Sequence, residues 1–333
     1  MNQYSKVNTS CLLILTFIAM AFTLSITKSI LIPFTMAIFI TFIYSPFIQY
    51  FHEKFKLPKN LVLGISLILF ILGISLMAIL LSKSIQTFLQ GADQYKDRLS
   101  EVSIQVTQTL QNFGFGFSQN EVKELFQKVP LGKFIKDISG GLVGGISNSF
   151  LVIIFSLFLL TGDSMSKQKN KTYEEIKKNT RKYIQTKLMT SAATAIISYV
   201  ILVSFGVEMA FMFAFLTFLL NFIPTVGSIV AVIIPLPIIL LQFGFGVKLA
   251  LILGLLLSVQ TIIGNILEPK LMGESMGLHP VTILLFLTFW GFVWGVTGMF
   301  LSVPITATLN IVFSKFELTK PVSHLLAGKL QLT

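Results

Sequence analysis

Thiol chemistry is almost absent from this chain. A single cysteine, Cys11, leaves no internal disulfide and no thiolate metal cluster to form. Charge is scarce too: Asp, Glu, Lys and Arg make up 12% of the 333 residues, about half the share typical of a soluble domain. No P-loop and no His-Glu-x-x-His pattern occurs, so neither ATP coupling nor zinc hydrolysis has a motif behind it. No catalytic residue, metal ligand or cofactor is therefore expected. What the chain has instead is apolar mass, with 54% hydrophobic residues, 32 Phe and a mean hydropathy of +0.83. Such a composition excludes a soluble globule, a disordered chain and a fibrous repeat. It belongs to an integral membrane protein. The net charge of +11 points to basic cytoplasmic loops rather than to a nucleic-acid partner.

A span needs about 20 apolar residues to cross roughly 30 Å of hydrocarbon. Residues 11–27 are too long and lack the cleavage site of a signal peptide, so they read as a retained helix. Further spans are expected at 29–50, 60–82 and 142–162. The loop at 51–60 carries Lys54, Lys56 and Lys59 against Glu53, and the loop at 163–187 carries eight basic residues against three acidic ones. Residues 83–139 are nearly balanced, seven against six. With both termini cytoplasmic, both basic loops fall inside and the balanced segment outside. That outer segment patterns as helix: Val102, Val106, Leu110 and Phe113 share one face, and Ser118 with Glu121 reads as a capping box. Gly140, Gly141, Gly144 and Gly145 form two interleaved small-residue patterns suited to close helix packing.

From 189 onward the chain is duplicated. FLTF at 215–218 recurs at 286–289, Gly227 and Gly298 stand at the same offset of 71, and Pro235 has a near counterpart in Pro304. Each copy has one full helix (189–206, then 246–265) followed by an apolar stretch broken by Pro or Gly (208–242, then 280–313). Pro224 removes an N–H and clashes with the carbonyl four residues back, so the first stretch must break there. Arms of about 15 residues are roughly 22 Å long, short for a crossing, and fit re-entrant hairpins; two short spans would give the same parity. An odd number of crossings per copy makes the repeats inverted, with a transport site near their interface. The expected organisation is 1–82 (three spans), 83–139 (outer segment), 140–188 (fourth span and basic loop), 189–314 (duplicated region, repeats 189–245 and 246–314) and 315–333 (tail). The fold class is an all-α polytopic membrane protein of about six full transmembrane helices plus two broken hairpins.

The runs NFIPTVGSIVAVIIP (221–235), GNILEPKLMGESMGLHPVTILL (264–285) and WGVTGMFLSVPITA (294–307) resemble the AI-2E (autoinducer-2 exporter-like) transporter family. The usual pattern is departed from at Thr225 and Ser228. This resemblance implies a bacterial inner-membrane permease, either an exporter of a furanone signal or a monovalent-cation/proton antiporter. It also implies a homo-oligomer, with a pentamer as the candidate stoichiometry. Read from the residues, the pathway candidates are Asn221, Pro224, Thr225, Gly227, Ser228, Gln260 and Asn265, then Thr297, Gly298 and Pro304. Polar groups beside broken helices can bind a small polar solute or an ion, or merely satisfy freed backbone. Glu268, Pro269, Lys270 and His279 are the gate or vestibule candidates, and a solvated loop turn is the plainer account of them. The charges after residue 188 sit near predicted span ends, which weighs against antiport. Besides exporter and antiporter, a non-transporting envelope scaffold in the bilayer is the third reading.

Overall fold

The computed structural model describes residues 3–90, 101–108, 149–161, 171–272, 277–317 and 319–329, and the isolated positions 111, 114, 118, 119, 121 and 140. Residues 91–100, Leu110, Phe113, the segment 122–139, Gly141, Gly144, Gly145 and residues 163–170 of the 163–187 loop, on which several expectations rest, lie outside the described residues. The protein is an all-α polytopic membrane protein. Among the described residues, six helices are long and apolar enough to span a bilayer, and no strand occurs. In chain order the helices are α1 (Gln3–Ile26), α2 (Lys28–Phe55), α3 (Lys59–Gln90) and α4 (Ser149–Thr161). They continue with α5 (Lys171–Ser204), α6 (Ala210–Leu220), α7 (Val226–Ile233), α8 (Leu236–Phe243) and α9 (Val247–Val259). A π-helical segment (Gln260–Leu267) then leads into α10 (Glu268–Met272), followed by α11 (Pro280–Lys315) and α12 (Lys320–Leu326).

The chain divides into two compact units. The first comprises residues 1–63, 148–184 and 274–333. There α11 packs on α1 and α2. Phe17 meets Phe289 at 5.3 Å between ring centroids, Phe39 meets Phe300 at 5.8 Å, and the Trp294 indole N–H donates to the Leu24 carbonyl at 3.0 Å. Aromatic edges and one hydrogen bond from an otherwise apolar helix hold this seam. Where α2 turns into α3, Ile48, Val62 and Leu63 form a small core covered by Tyr44, Leu57 and Leu160.

The second unit comprises residues 64–147 and 185–273. Its core gathers Leu202, Met212, Ile239, Ile252 and Leu256, each nearly or fully buried. The 83–139 segment contributes to it: residues 101–108 are helical, and Val102 and Val106 pack against that core. Gln105 fixes the placement by accepting the Phe245 N–H at 3.2 Å through its side-chain oxygen. The capping box also forms. Glu121 Oε2 accepts from the Ser118 N–H at 2.8 Å and its hydroxyl at 2.9 Å, and Ser118 Oγ accepts the Glu121 N–H at 3.3 Å. On the outside of both units, Phe158, Met189, Val247 and Phe292 are exposed, as lipid-facing side chains must be.

Both broken stretches fold back as helical hairpins. In the first, α6 and α7 pack together across the turn at 221–225. A Cβ on Gly227 would lie 1.7 Å from the Leu220 carbonyl oxygen. Seven residues of straight helix would separate those positions by about 10 Å, so the chain must double back. The second is continuous by hydrogen bonding but reverses at Gly295, whose φ of 66° is open to glycine. Beyond it a Cβ on Gly298 would meet the Trp290 carbonyl oxygen at 2.0 Å. The two tips share one local geometry. An added Cβ would also meet Ile223 Cβ at 3.3 Å from Gly227 and Trp294 Cβ at 2.8 Å from Gly298, both pairs at the offset of 71. The space beside Gly298 is thus closed by a carbonyl of its own hairpin.

Candidate functional site

The first tip is built by Pro224. With no N–H to continue α6, the chain turns through 221–225 and Thr225 takes a left-handed backbone (φ 62°, ψ −57°) to launch α7. Ser228 answers locally, its hydroxyl donating to the Thr225 carbonyl at 2.9 Å. Asn221 does not. Its N–H donates to Thr217 O at 3.0 Å, but the side chain is buried and Oδ1 has no partner. An acceptor stripped of water and left unmade costs about 1–3 kcal/mol, so this atom is the conspicuous vacancy of the tip.

The second hairpin is better satisfied. Ser302 donates to Met299 O at 2.8 Å and Thr306 to Ser302 O at 2.6 Å, both within their own helix. Pro304 is buried and Thr297 half-buried. Trp290 keeps a buried indole N–H without a partner. At the open end His279 caps α11, accepting the Val281 N–H at 3.3 Å through Nδ1, while its own N–H donates to Leu326 O at 3.0 Å. Asn310 ties the arms to the tail: Nδ2 donates to Gly277 O at 3.1 Å, and Oδ1 accepts the Ser323 hydroxyl at 2.8 Å. These contacts describe a brace, and His279 belongs to it.

Glu268 opens α10 in a different setting from a solvated turn. One carboxylate oxygen pairs with Lys187 Nζ, and the other accepts the Thr190 hydroxyl at 3.1 Å. The side chains of Lys187 and Glu268 are 5% and 15% exposed. Both lie within helices apolar enough to span a membrane. By contrast Pro269, Lys270 and Asn265 are exposed. Eight residues before Glu268, Gln260 is buried with Oε1 unpartnered, 3.8 Å from where a Gly264 Cβ would stand.

Within the second unit the structure thus holds Asn221, Gly227, Gln260 and Glu268, and within the first Gly298, Pro304 and His279. Lys187 is the functional candidate that sequence reasoning missed, because it was counted with a basic loop. A signal existed: Lys187, Thr190, Ser191, Thr194 and Ser198 fall on one helical face and all are buried. The opposite face of α5 borders a cavity of about 660 Å³ lined by Met77, Tyr199, Phe211, Phe215 and Phe218. Its apolar walls suit hydrocarbon better than a small polar solute. One letter pattern qualifies the absence of catalytic motifs. Gly273–Gly277 spells Gly-x-Ser-x-Gly, a motif whose chemistry needs a strand-to-helix elbow; residues 273–276 lie outside the described residues.

Long apolar helices, duplicated broken hairpins and buried polar groups on them define a polytopic protein of the membrane-transport class. The profile of the AI-2E family transporters matches residues 12–317, and the chain belongs to that family. It is 30% identical over 318 residues to a putative transport protein of Haemophilus influenzae, covering 90% of this chain and 91% of that one. It is 26% identical over 297 residues to the AI-2 transport protein TqsA of Escherichia coli, covering 86% of each. A putative transport protein of Borreliella burgdorferi is 28% identical over 317 residues, covering 91% of this chain and 86% of that one.

Proposed function

We propose that this chain is a secondary or facilitated transporter of the bacterial inner membrane, exporting a small polar metabolite or signal. Both termini are cytoplasmic in this reading, and the working form is a homo-oligomer. The name of the similar TqsA makes a furanone of the autoinducer-2 class the first solute to try. The observation that carries the reading is the buried, unpartnered Asn221 Oδ1 at a broken-helix tip. A solute hydroxyl can donate to it, while the neighbouring Ser228 hydroxyl is already spent on the Thr225 carbonyl. Antiport of a monovalent cation against protons is the second reading, favoured by the buried Lys187–Glu268 pair.

The test is initial counterflow in proteoliposomes with a panel of small polar solutes, normalised to folded protein. Asn221→Ala is expected to lower flux about five- to thirty-fold, the equivalent of about 1–2 kcal/mol for one membrane-buried hydrogen bond. Glu121→Ala, in an exposed cap, serves as the control and should leave flux unaltered. Full flux in Asn221→Ala with loss in the control would move the site to the outer segment.

A further inference from the structure

Charge inside a bilayer is costly and concentrates where ions or protons move. The Lys187–Glu268 pair is buried between two helices that are apolar and long enough to span a membrane. It joins α5 to α10 across 81 residues of sequence, and each partner is nearly withdrawn from water. A buried ion pair adds little stability over an apolar pair of the same volume, so folding alone is weak reason to keep it. Removing one partner, however, strands the other.

The surroundings of the pair are unfinished. Ser191, next to Thr190 and fully buried, has a hydroxyl oxygen with no partner. On the other wall, Gln260, Gly264 and Glu268 recur every four residues through the π-helical segment, close to its period of about 4.4. The unpartnered Gln260 Oε1 reaches along the helix towards Gly264, in the direction of Glu268. Unpaired buried polar atoms of this kind are where internal water sits. Two such atoms are open here, Ser191 Oγ on α5 and Gln260 Oε1 on the π-helical segment that leads into α10.

We propose that Glu268 is the proton-binding group of the transporter, exchanging its Lys187 ammonium partner for a proton. The inference rests on the transport reading above and assigns its coupling. In the step, a hydronium ion from solution gives its proton to the carboxylate oxygen that Lys187 vacates and leaves as water. The N–H···O contact breaks, Lys187 keeps its own proton, and α5 is unfastened from α10. Release of the proton on the other side restores the pair. A metal ion fits less well. The carboxylate and the Thr190 hydroxyl offer three oxygens, about half what a dehydrated hard cation needs. Among the described residues no cluster of three His, Cys, Asp or Glu occurs. Lys187 and the Thr190 hydroxyl are the groups facing Glu268 from α5, and Lys270 on its own helix is exposed.

Dicyclohexylcarbodiimide reacts with protonated carboxyls in apolar surroundings, and needs no knowledge of the solute. The full chain in liposomes is treated across weakly acid to weakly alkaline pH, and Glu268 is read by peptide mass spectrometry. Labelling should rise as pH falls, about tenfold per pH unit on the alkaline side of the midpoint, as one-proton binding requires. Without an ammonium competing for the carboxylate, Lys187→Met should raise labelling at neutral pH, and Lys187→Arg should restore the pH dependence. With a solute in hand, Glu268→Gln should lose the response of flux to an imposed pH gradient. An absence of Glu268 labelling at every pH where the chain stays folded, or a wild-type gradient response in Glu268→Gln, would overturn the proposal and make the pair a brace. pH-dependent labelling in a chain that moves none of the solutes would leave the proton site standing and refute the transport reading.

Discussion

At the scale of single residues, the amides Asn221 and Asn310 show how one side-chain type serves two ends. Asn310 spends both of its polar atoms on Gly277 and Ser323, whereas Asn221 leaves Oδ1 open. Asn310→Leu strands the Ser323 hydroxyl and the Gly277 carbonyl, at a cost of about 1–3 kcal/mol. The measurable outcome is a lower midpoint of thermal unfolding in detergent and faster proteolysis of the α12 tail. Glu121 offers a pH test outside the bilayer. The Ser118 backbone N–H, then its hydroxyl, hold the Glu121 carboxyl below the ordinary glutamate range. A lowered folded value means that the cap helps folding above the unfolded value and ceases to help as pH falls through the folded one. Carboxyl NMR should find Glu121 titrating below free glutamate, and Ser118→Ala, which removes the hydroxyl but keeps the backbone N–H, should bring it only part of the way back.

The hairpin is the element on which the architecture turns. Each tip places one glycine against a carbonyl of the opposing arm, so an added methyl has nowhere to go. Gly227→Ala and Gly298→Ala should each cost at least the ~1–3 kcal/mol of an overpacked core, because the obstacle is backbone rather than a movable side chain. Gly254, in α9, has open space where a methyl would stand, with nothing within 4 Å. Gly254→Ala should be neutral or mildly stabilising, since it restores helix propensity without a clash. Size-exclusion profiles and thermal scans of the three variants check the contrast. A tolerated Gly298→Ala would mean that the arms of α11 do not close as described. Prolines punctuate both second arms, Pro235 between α7 and α8 and Pro304 within α11. The broken stretches thus share a plan: a first arm, a tight tip, and a second arm holding a proline.

For the whole molecule the open quantity is orientation, which follows from loop charge. Single cysteines replacing Asp97 and Lys171 in a Cys11→Ala background should label differently with an impermeant maleimide on intact cells. Position 97 should react and position 171 should not; the reverse would invert the topology. Such an inversion would also reverse the face from which Glu268 meets protons.

Spans, breaks and the repeat were legible from the residues because they are local. Runs of about 20 apolar residues, a proline without an N–H and an offset of 71 need no knowledge of what lies across the molecule. Even the capping box was local, since Ser118 and Glu121 are three residues apart. Burial was legible on average but not by atom. Ser228 looked as available as Asn221, and only the folded backbone separates the hydroxyl that bonds to the Thr225 carbonyl from the amide left open. The pairing of Lys187 with Glu268 and of Asn310 with Ser323 had to wait for tertiary structure. Composition counted Lys187 as loop charge, because nothing near it in sequence reveals a carboxylate 81 residues away. Local patterns set which segments enter the bilayer, through transfer energies that each segment carries by itself. Which buried polar groups find partners is decided by packing, because a partner is a matter of position in space.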